Sequence, residues 1–507
     1  MKIVIAVFAA VLFAGTTTVY AQTCPLNGTS SNKLVCLIPQ VYGPYGFGYG
    51  PGQPTEQTVL YTGDGHAAHF DSDFLTTFAP INTAVGIQVS QLPFASPSSA
   101  VSFTYNSQLK TFEPSSDESL GPILGERAST SGRHRLFVAF TYQQFTFTSI
   151  DGQDLHGLPT VLQHFPFPPP FSNPQIVSCP NQTGLTGQYA ANPCFVRDYI
   201  QTANDITLNV HQYTAYVTFG ITQHLDFSAA IPIENVRMSV TSSATIVPNS
   251  VTPPLLAPSN VWHQFNPQNT QIASQCAAAA AANQACLHAA FSDAGSASGI
   301  GDVFLRGKYT VHQWERAGVA VGVDVRLPTG DALNFLGSGA VGVKPFGVFS
   351  YRARITPHAL VGYEINGSST LAGSNIVPLP GGATPVSKAS LPNRLVYVVG
   401  ADVRVTKRLT GAFDIYGQRL FSAPQLVAQS YTDLGKCADL NCTNYTTGST
   451  HPDLASRSAD ISINDASVGL KLRLLQRLVA TGNVLIKIDD GGLRSRAVPL
   501  VGLSYGF

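Results

Sequence analysis

The chain has 507 residues, with Lys+Arg 29 against Asp+Glu 29, and only 11% of its residues are charged, where a soluble globular protein averages about 25%. A neutral chain lacks the basic excess that a phosphate backbone demands, so nucleic acid is excluded as a partner. Gly 45, Pro 34, Tyr 19 and Phe 28 favour strands and turns over helices.

At the N-terminus, Lys2 precedes an apolar run from Ile3 to Ala14, and Val19-Tyr20-Ala21 fits the small-x-small cleavage rule. Residues 1–21 therefore read as a signal peptide cut after Ala21. Beyond it no apolar run approaches the roughly 18 residues of a spanning helix. An exported chain of this kind crosses a membrane only as a closed barrel. Residues 22–97 show no useful alternation, apart from a short helix expected over Ile81–Ile87, and they read as a periplasmic plug segment. Phe70, Phe74, Phe78 and Phe94 are candidates to line an apolar ligand pocket between that plug and the wall.

Residues 98–507 read as the barrel. From Asp302 onward, apolar residues alternate with polar ones at period 2. Val319, Val321, Val323 and Val325 stand opposite Asp324 and Arg326, and Val468, Leu470 and Leu472 stand opposite Lys471 and Arg473. Alternation alone also fits a soluble sandwich with one wet face. Charges of both signs in mid-strand, and tight turns that alternate with long loops, favour an outer-membrane barrel instead. The lumen-facing charges expected are Asp302, Arg306, Lys308, Asp324, Arg326, Arg352, Arg354, Asp402, Arg404, Lys471 and Arg473.

Counting strands gives segments near 99–113, 117–129, 133–149, 204–221, 224–240, 300–313, 316–328, 341–355, 357–368, 392–406, 408–422, 464–475, 477–489 and 494–507. The sum is about 14, with 12 as the fallback if the first hairpin stands outside the wall. The phase slips at Gln143-Gln144 and around Gln212 read as bulges. Segments 150–203, 241–299 and 423–463 become long extracellular loops.

Eight cysteines in an exported chain read as disulfides. Cys24 with Cys36, Cys179 with Cys194, Cys276 with Cys286, and Cys437 with Cys442 are near neighbours. Cys276 and Cys286 bracket an alanine-rich segment, and ten residues of unbroken helix would hold them about 15 Å apart, beyond disulfide reach. Either the helix breaks near Asn283 or that pair is bonded elsewhere.

Gly502-Leu503-Ser504-Tyr505-Gly506-Phe507 resembles the C-terminal assembly signal of bacterial outer-membrane barrels, carried by Gly502, Tyr505 and Phe507. Leu500 departs from it, standing where that signal has a polar residue. Ser298-Gly299-Ile300-Gly301-Asp302, Leu327-Pro328-Thr329-Gly330-Asp331 and Gly337-Ser338-Gly339 resemble the outer-membrane transporters of the MetA-pathway phenol-degradation family. The layout is similar to the wider long-chain fatty-acid and aromatic-hydrocarbon channels. That resemblance implies passive uptake of hydrophobic small molecules, aromatic compounds or fatty acids, across the bacterial cell outer membrane. The alternatives are a general diffusion porin and a structural or adhesive barrel.

Expected partners are outer-membrane lipid, the barrel-assembly machinery and the hydrophobic substrate. The chain has no G-x-S-x-G elbow, H-E-x-x-H, P-loop or G-x-G-x-x-G before a helix, so no enzyme and no cofactor are expected. His66, His69 and Asp71 lack a confident helix to set ligand geometry, and no metal is expected there either.

Overall fold

The computed structural model describes Cys24, residues 30–43, 46, 56, 58–60, 70, 81, 84–86, 88–89, 103–106, 111–114, 119–163, 197–250, 261, 263–373, 388–438 and 444–507. Twelve antiparallel strands form its wall. In chain order they are Leu136–Ile150, Tyr199–Gly220, Leu225–Val247, Val303–Gln313, Ala317–Leu327, Gly342–Tyr351, Ile355–Asn366, Arg394–Arg404, Leu409–Thr432, Thr450–Arg473, Leu478–Lys487 and Ala497–Gly506. The strand His288–Ile300 prolongs Val303–Gln313 upward along the same neighbour.

The first strand pairs with the second on one side and with the last on the other, which closes the sheet. At the seam the Phe507 amide donates to the Leu136 carbonyl at 2.8 Å, and the Tyr505 and Phe507 rings meet edge-on at 4.8 Å. Gly502 faces inward at this seam, where a Cβ would stand 2.9 Å from the Thr141 methyl. Closure pairs each of the twelve wall strands on both sides, which is what a sheet surrounded by hydrocarbon requires.

The count is therefore twelve, not fourteen. Residues 103–106 and 111–114 form a two-stranded sheet of their own, apart from the wall. Residues 119–131 are not a strand; they run through the lumen. The segment Gly121-Pro122-Ile123-Leu124-Gly125 has a proline without an amide donor and two glycines, a poor ladder sequence.

The distribution of side chains is that of a membrane barrel. Val361, Leu470 and Ile355 on the outer face are each more than half exposed, while Asp302, Asp402, Lys308 and Lys471 inside are at most 2% exposed. Six of the strands are 10 or 11 residues long, the length a tilted strand needs to cross hydrocarbon. Four others, Tyr199–Gly220, Leu225–Val247, Leu409–Thr432 and Thr450–Arg473, run 22 to 24 residues and stand well beyond the short ones on the long-loop side.

On the first two of these tall strands the apolar side chains change face half way along, whereas the Leu409–Thr432 and Thr450–Arg473 pair has a register shift between Leu420 and Ala423. On Tyr199–Gly220, Tyr213, Val217 and Phe219 point outward below, whereas Ile206, Leu208 and Val210 point inward and are buried above. On Leu225–Val247, Ile231 and Ile233 face out, and Val236, Met238 and Val240 face in. The ladder is unbroken across the change: Gln143 pairs with Gln212, and Gln212 with Glu234. The slips at Gln143-Gln144 and Gln212 are thus not bulges. The strand keeps its register while the medium outside changes from hydrocarbon to water, and the apolar side chains move from the outer face to the inner one.

Two disulfides are closed. Cys24–Cys36 has Cα atoms 5.2 Å apart and Cys276–Cys286 has them 5.3 Å apart. The helix Ala273–Ala281 ends before Asn283, whose φ of 52° is left-handed, and this break folds Cys286 back within reach. Cys437 is also disulfide-bonded. Cys179, Cys194 and Cys442, the signal peptide, and His66, His69 and Asp71 lie outside the described residues.

Candidate functional site

Among the described residues the lumen gathers charges of both signs, and the wall strands aim them inward by alternation. Its short-turn end is crossed by residues 119–131. Glu126 there binds Arg306 at 2.5 Å and Lys308 at 3.0 Å. Arg127 binds Asp402 at 2.6 Å and also reaches Ser119.

The backbone of this segment is held as firmly as its side chains. Lys471 Nζ donates to the Pro122 carbonyl at 2.6 Å, and Lys308 Nζ donates to the Arg127 and Ser129 carbonyls at 3.1 Å each. The amides of Leu120, Leu124, Ala128 and Ser131 donate to Thr410, Asp414, Ser350 and Asp226. Leu120 packs with Phe137 and Val479. The partners lie on strands all round the ring, so the segment forms a floor. Gly125 sits over His358, where a Cβ would collide with the imidazole. His358 Nε2 donates to Asp414 Oδ1 at 2.6 Å.

Further up, Glu364 joins Arg326 at 2.9 Å and Arg394 at 2.6 Å. Arg326 also donates to Asn366 at 2.6 Å, and Arg394 to Gln418 at 2.8 Å. Arg306 grips Asp324 with two nitrogens, and Lys344 reaches the same carboxylate at 3.0 Å. Buried charges of this kind persist only when paired and hydrogen-bonded, and these are both.

The glycine-rich segments meet around one carboxylate. Asp302 accepts from the Gly330 amide at 3.1 Å and from the Ser338 amide at 2.7 Å, and Thr329 bridges Gly301 and Val303. Asp331 then docks the N-terminal region, binding Lys33 at 2.8 Å, while the Leu34 amide donates to Asn334 at 3.2 Å. Burial works against the Asp331 carboxylate, and the Lys33 ammonium overcomes it, so its pKa lies below the ordinary range.

The long-loop end of the lumen is filled differently. Leu34, Val35, Ile38, Val41 and Tyr42 are buried in one apolar cluster with Val236, Met238, Val240, Phe265 and Phe291. Tyr42 Oη meets Ser242 Oγ at 2.6 Å, and Ser242 donates onward to Asn204 at 2.6 Å. Complete burial pushes the Tyr42 phenol above its ordinary range despite that bond. Residues 58–60 lie against 265–270 through backbone bonds such as Asn266 to Val59 at 2.9 Å. Residues 81, 84–86 and 88–89 are helical, and Gln88 lines a narrow cavity of about 40 Å³ with Phe145, Phe147, Tyr416, Leu485 and Arg494.

Of the lumen charges expected from the sequence, Asp302, Arg306, Lys308, Asp324, Arg326, Asp402 and Lys471 lie inside, in the networks above. Arg404 and Arg473 are half-buried at the last positions of their strands, and Arg352 and Arg354 sit in the tight turn between two strands, off the lumen face. Phe70 is buried edge-on against the His263 ring at 4.9 Å; Phe74, Phe78 and Phe94 lie outside the described residues.

Sequence reasoning missed Glu126 and Arg127, because their stretch reads as a wall strand. It also missed Glu364, Arg394, His358 and Asp414 as partners, although all four stand at inward positions of alternating strands. Ser250, Asp198 and His263 come together as a possible hydrolytic set, yet Ser250 Oγ donates to Asp198 at 2.5 Å and His263 Nδ1 meets the other oxygen at 2.8 Å. A nucleophilic serine would pass its proton to the histidine. Among the described residues no three His, Cys, Asp or Glu side chains gather as a metal site.

Among solved structures the chain is similar to a Pseudomonas aeruginosa FadL homologue, at 9% identity and a TM-score of 0.27, covering 74% of this chain and 90% of that one. It is similar to the Ralstonia pickettii toluene transporter TbuX at 10% identity and a TM-score of 0.26, with coverage of 74% and 90%. The NanC porin gives 7% identity, a TM-score of 0.29 and coverage of 58% and 93%. No family model and no curated protein matches the chain. What the closed wall and its apolar outer face establish is an outer-membrane β-barrel.

Proposed function

We propose that this barrel is a gated outer-membrane channel for passive uptake of hydrophobic small molecules, of the kind handled by the phenol-degradation transporters that residues 298–339 resemble. The observation that carries this reading is the apolar upper lumen. Above the line through Gln143, Gln212 and Glu234 the inner face carries Phe145, Phe147, Ile206, Leu208, Val210, Val236, Met238 and Val240, with Thr202, Asn204 and Ser242 higher up. A hydrophobic solute gains roughly 25 cal/mol for each square ångström of apolar surface it buries there. The short-turn rim faces the periplasm in this reading, and residues 119–131 close it.

A second reading, a general diffusion porin, is favoured by the charges that line the lower lumen. Uptake separates the two. Cells with and without the gene are compared for entry of labelled toluene, a labelled fatty acid and a labelled sugar. The channel reading expects the two hydrophobic probes to enter faster with the gene and the sugar to be unaffected. Faster sugar entry with no effect on the hydrophobic probes would establish the porin instead.

A further inference from the structure

Most charges inside this barrel are paired, whereas six exposed cations on its short-turn rim have no acidic partner among the described residues. Arg133 at the entry to the first strand, and Arg316, Arg354, Lys407, Arg408 and Arg477 in four of the five tight turns, are all exposed. None of these six has an acidic partner among the described residues. Glu315 is the one acidic side chain in the same segments. The chain as a whole is neutral, with 29 basic and 29 acidic side chains, so the excess belongs to this rim and is balanced elsewhere.

The rim also borders the apolar band directly. Trp314, Val405, Leu475 and Phe507 beside these turns are all more than half exposed. Exposed tryptophan and other aromatics mark the depth at which hydrocarbon gives way to headgroups, so the six cations stand at headgroup level and not out in water. Clusters of four to eight Lys and Arg in that position attract anionic lipid, and the arginine fork matches a phosphate geometrically.

We propose that the short-turn rim is a docking ring for anionic phospholipid headgroups of the leaflet it faces. The cations are spread around the circumference, on turns that join different pairs of strands, as an annulus of lipids would require. An acidic protein would need them on one side. The proposal rests on the outer-membrane reading of the barrel.

The test uses the full chain reconstituted in equimolar phosphatidylethanolamine and phosphatidylglycerol, extracted gently, with the retained lipids identified by mass spectrometry. The native chain should retain phosphatidylglycerol over phosphatidylethanolamine by on the order of tenfold, less at high salt. Changing the six to glutamine (R133Q, R316Q, R354Q, K407Q, R408Q and R477Q) should abolish that preference. Changing the exposed Arg237, Arg457 and Arg496 on the long-loop side to glutamine should leave it intact. Equal retention of both lipids by the native chain, or an unchanged preference in the six-fold variant, overturns the proposal while leaving the barrel reading untouched. A chain that enters no bilayer, and shows no heat-dependent shift on a gel, overturns the barrel reading and the proposal with it.

Discussion

The two ends of the lumen are closed by opposite chemistries. At the short-turn end, residues 119–131 are fixed by charge, with Glu126 between Arg306 and Lys308 and Arg127 on Asp402. At the long-loop end, residues 34–42 are held chiefly by apolar burial, with the Leu34 amide on Asn334 and the Tyr42 phenol on Ser242, and the neighbouring segment 263–287 is clamped by Cys276–Cys286. The difference follows from what lies outside each level of the wall. Where hydrocarbon surrounds the strand, apolar side chains face outward and the polar ones face the lumen, so a lumen segment must be polar to pair with them. Where water surrounds it, the inner face is apolar and the occupant is apolar as well. An ionic closure fails abruptly when one partner is removed, whereas an apolar one loosens by degrees.

The largest effect is therefore expected at the floor. Glu126→Ala strands the Lys308 ammonium, and breaking one side of a buried pair costs about 3–5 kcal/mol. The floor should detach, with trypsin cutting at Arg127 in reconstituted protein where the native chain resists. An equal cutting rate in both would show that the floor is not held by these charges. The clamped segment comes next. Replacing Cys276 and Cys286 with serine removes a ten-residue cross-link, whose loss costs about 3 kcal/mol or less. Hydrogen exchange should rise in residues 263–287 while the floor stays protected; faster exchange in both would mean the two closures are coupled.

Much of the fold was legible in the sequence, and the misses have physical causes. Period-2 alternation located the membrane-level part of the ten wall strands from Leu225 onward, where one medium lies outside each, but read residues 241–247, 423–432 and 450–463 as loop where the tall strands continue. The same rule misread Gln143-Gln144 and Gln212, where the medium changes and the register does not. It also placed residues 117–129 in the wall, although Pro122 and the flanking glycines disfavour a ladder. Asp302 and the glycine-rich segments around it were recognisable as a group from the sequence, but their convergence on one carboxylate was not. Glu126 and Arg127 were invisible as a latch, since their partners lie on strands about 180 and 275 residues further along the chain, and no local pattern encodes that distance.

Smaller effects sharpen the contrast. Tyr42→Phe removes the phenol's hydrogen bonds to Ser242 and Thr202 and leaves Ser242 still donating to Asn204, so about 1–2 kcal/mol is expected. It should appear as faster exchange in residues 34–42 with the barrel's heat stability unchanged. Any shift in floor exchange would contradict the separation of the two ends. The weakest link is Lys33–Asp331. Because the folded Asp331 has a lowered pKa, its contribution is present above the ordinary carboxylate pKa of about 3.9 and is lost as pH falls through the lower folded value. The pair is partly exposed, so at most about 1 kcal/mol is involved. Exchange at residues 33–35 should rise on acidification in the native chain and be insensitive to pH in Asp331→Asn.

The central claim is that residues 119–131, through Glu126 and Arg127, close the barrel. Conductance across a planar lipid bilayer tests it most directly, comparing the native chain with the Glu126→Ala, Arg127→Ala double variant and with a chain lacking residues 25–60. The native chain and the N-terminal deletion should both be nearly silent, because the floor remains in each, and the double variant should give a large, steady ion current. If the native chain already conducts as freely as the double variant, or if deleting residues 25–60 alone opens it to the same extent, the floor is not the closure.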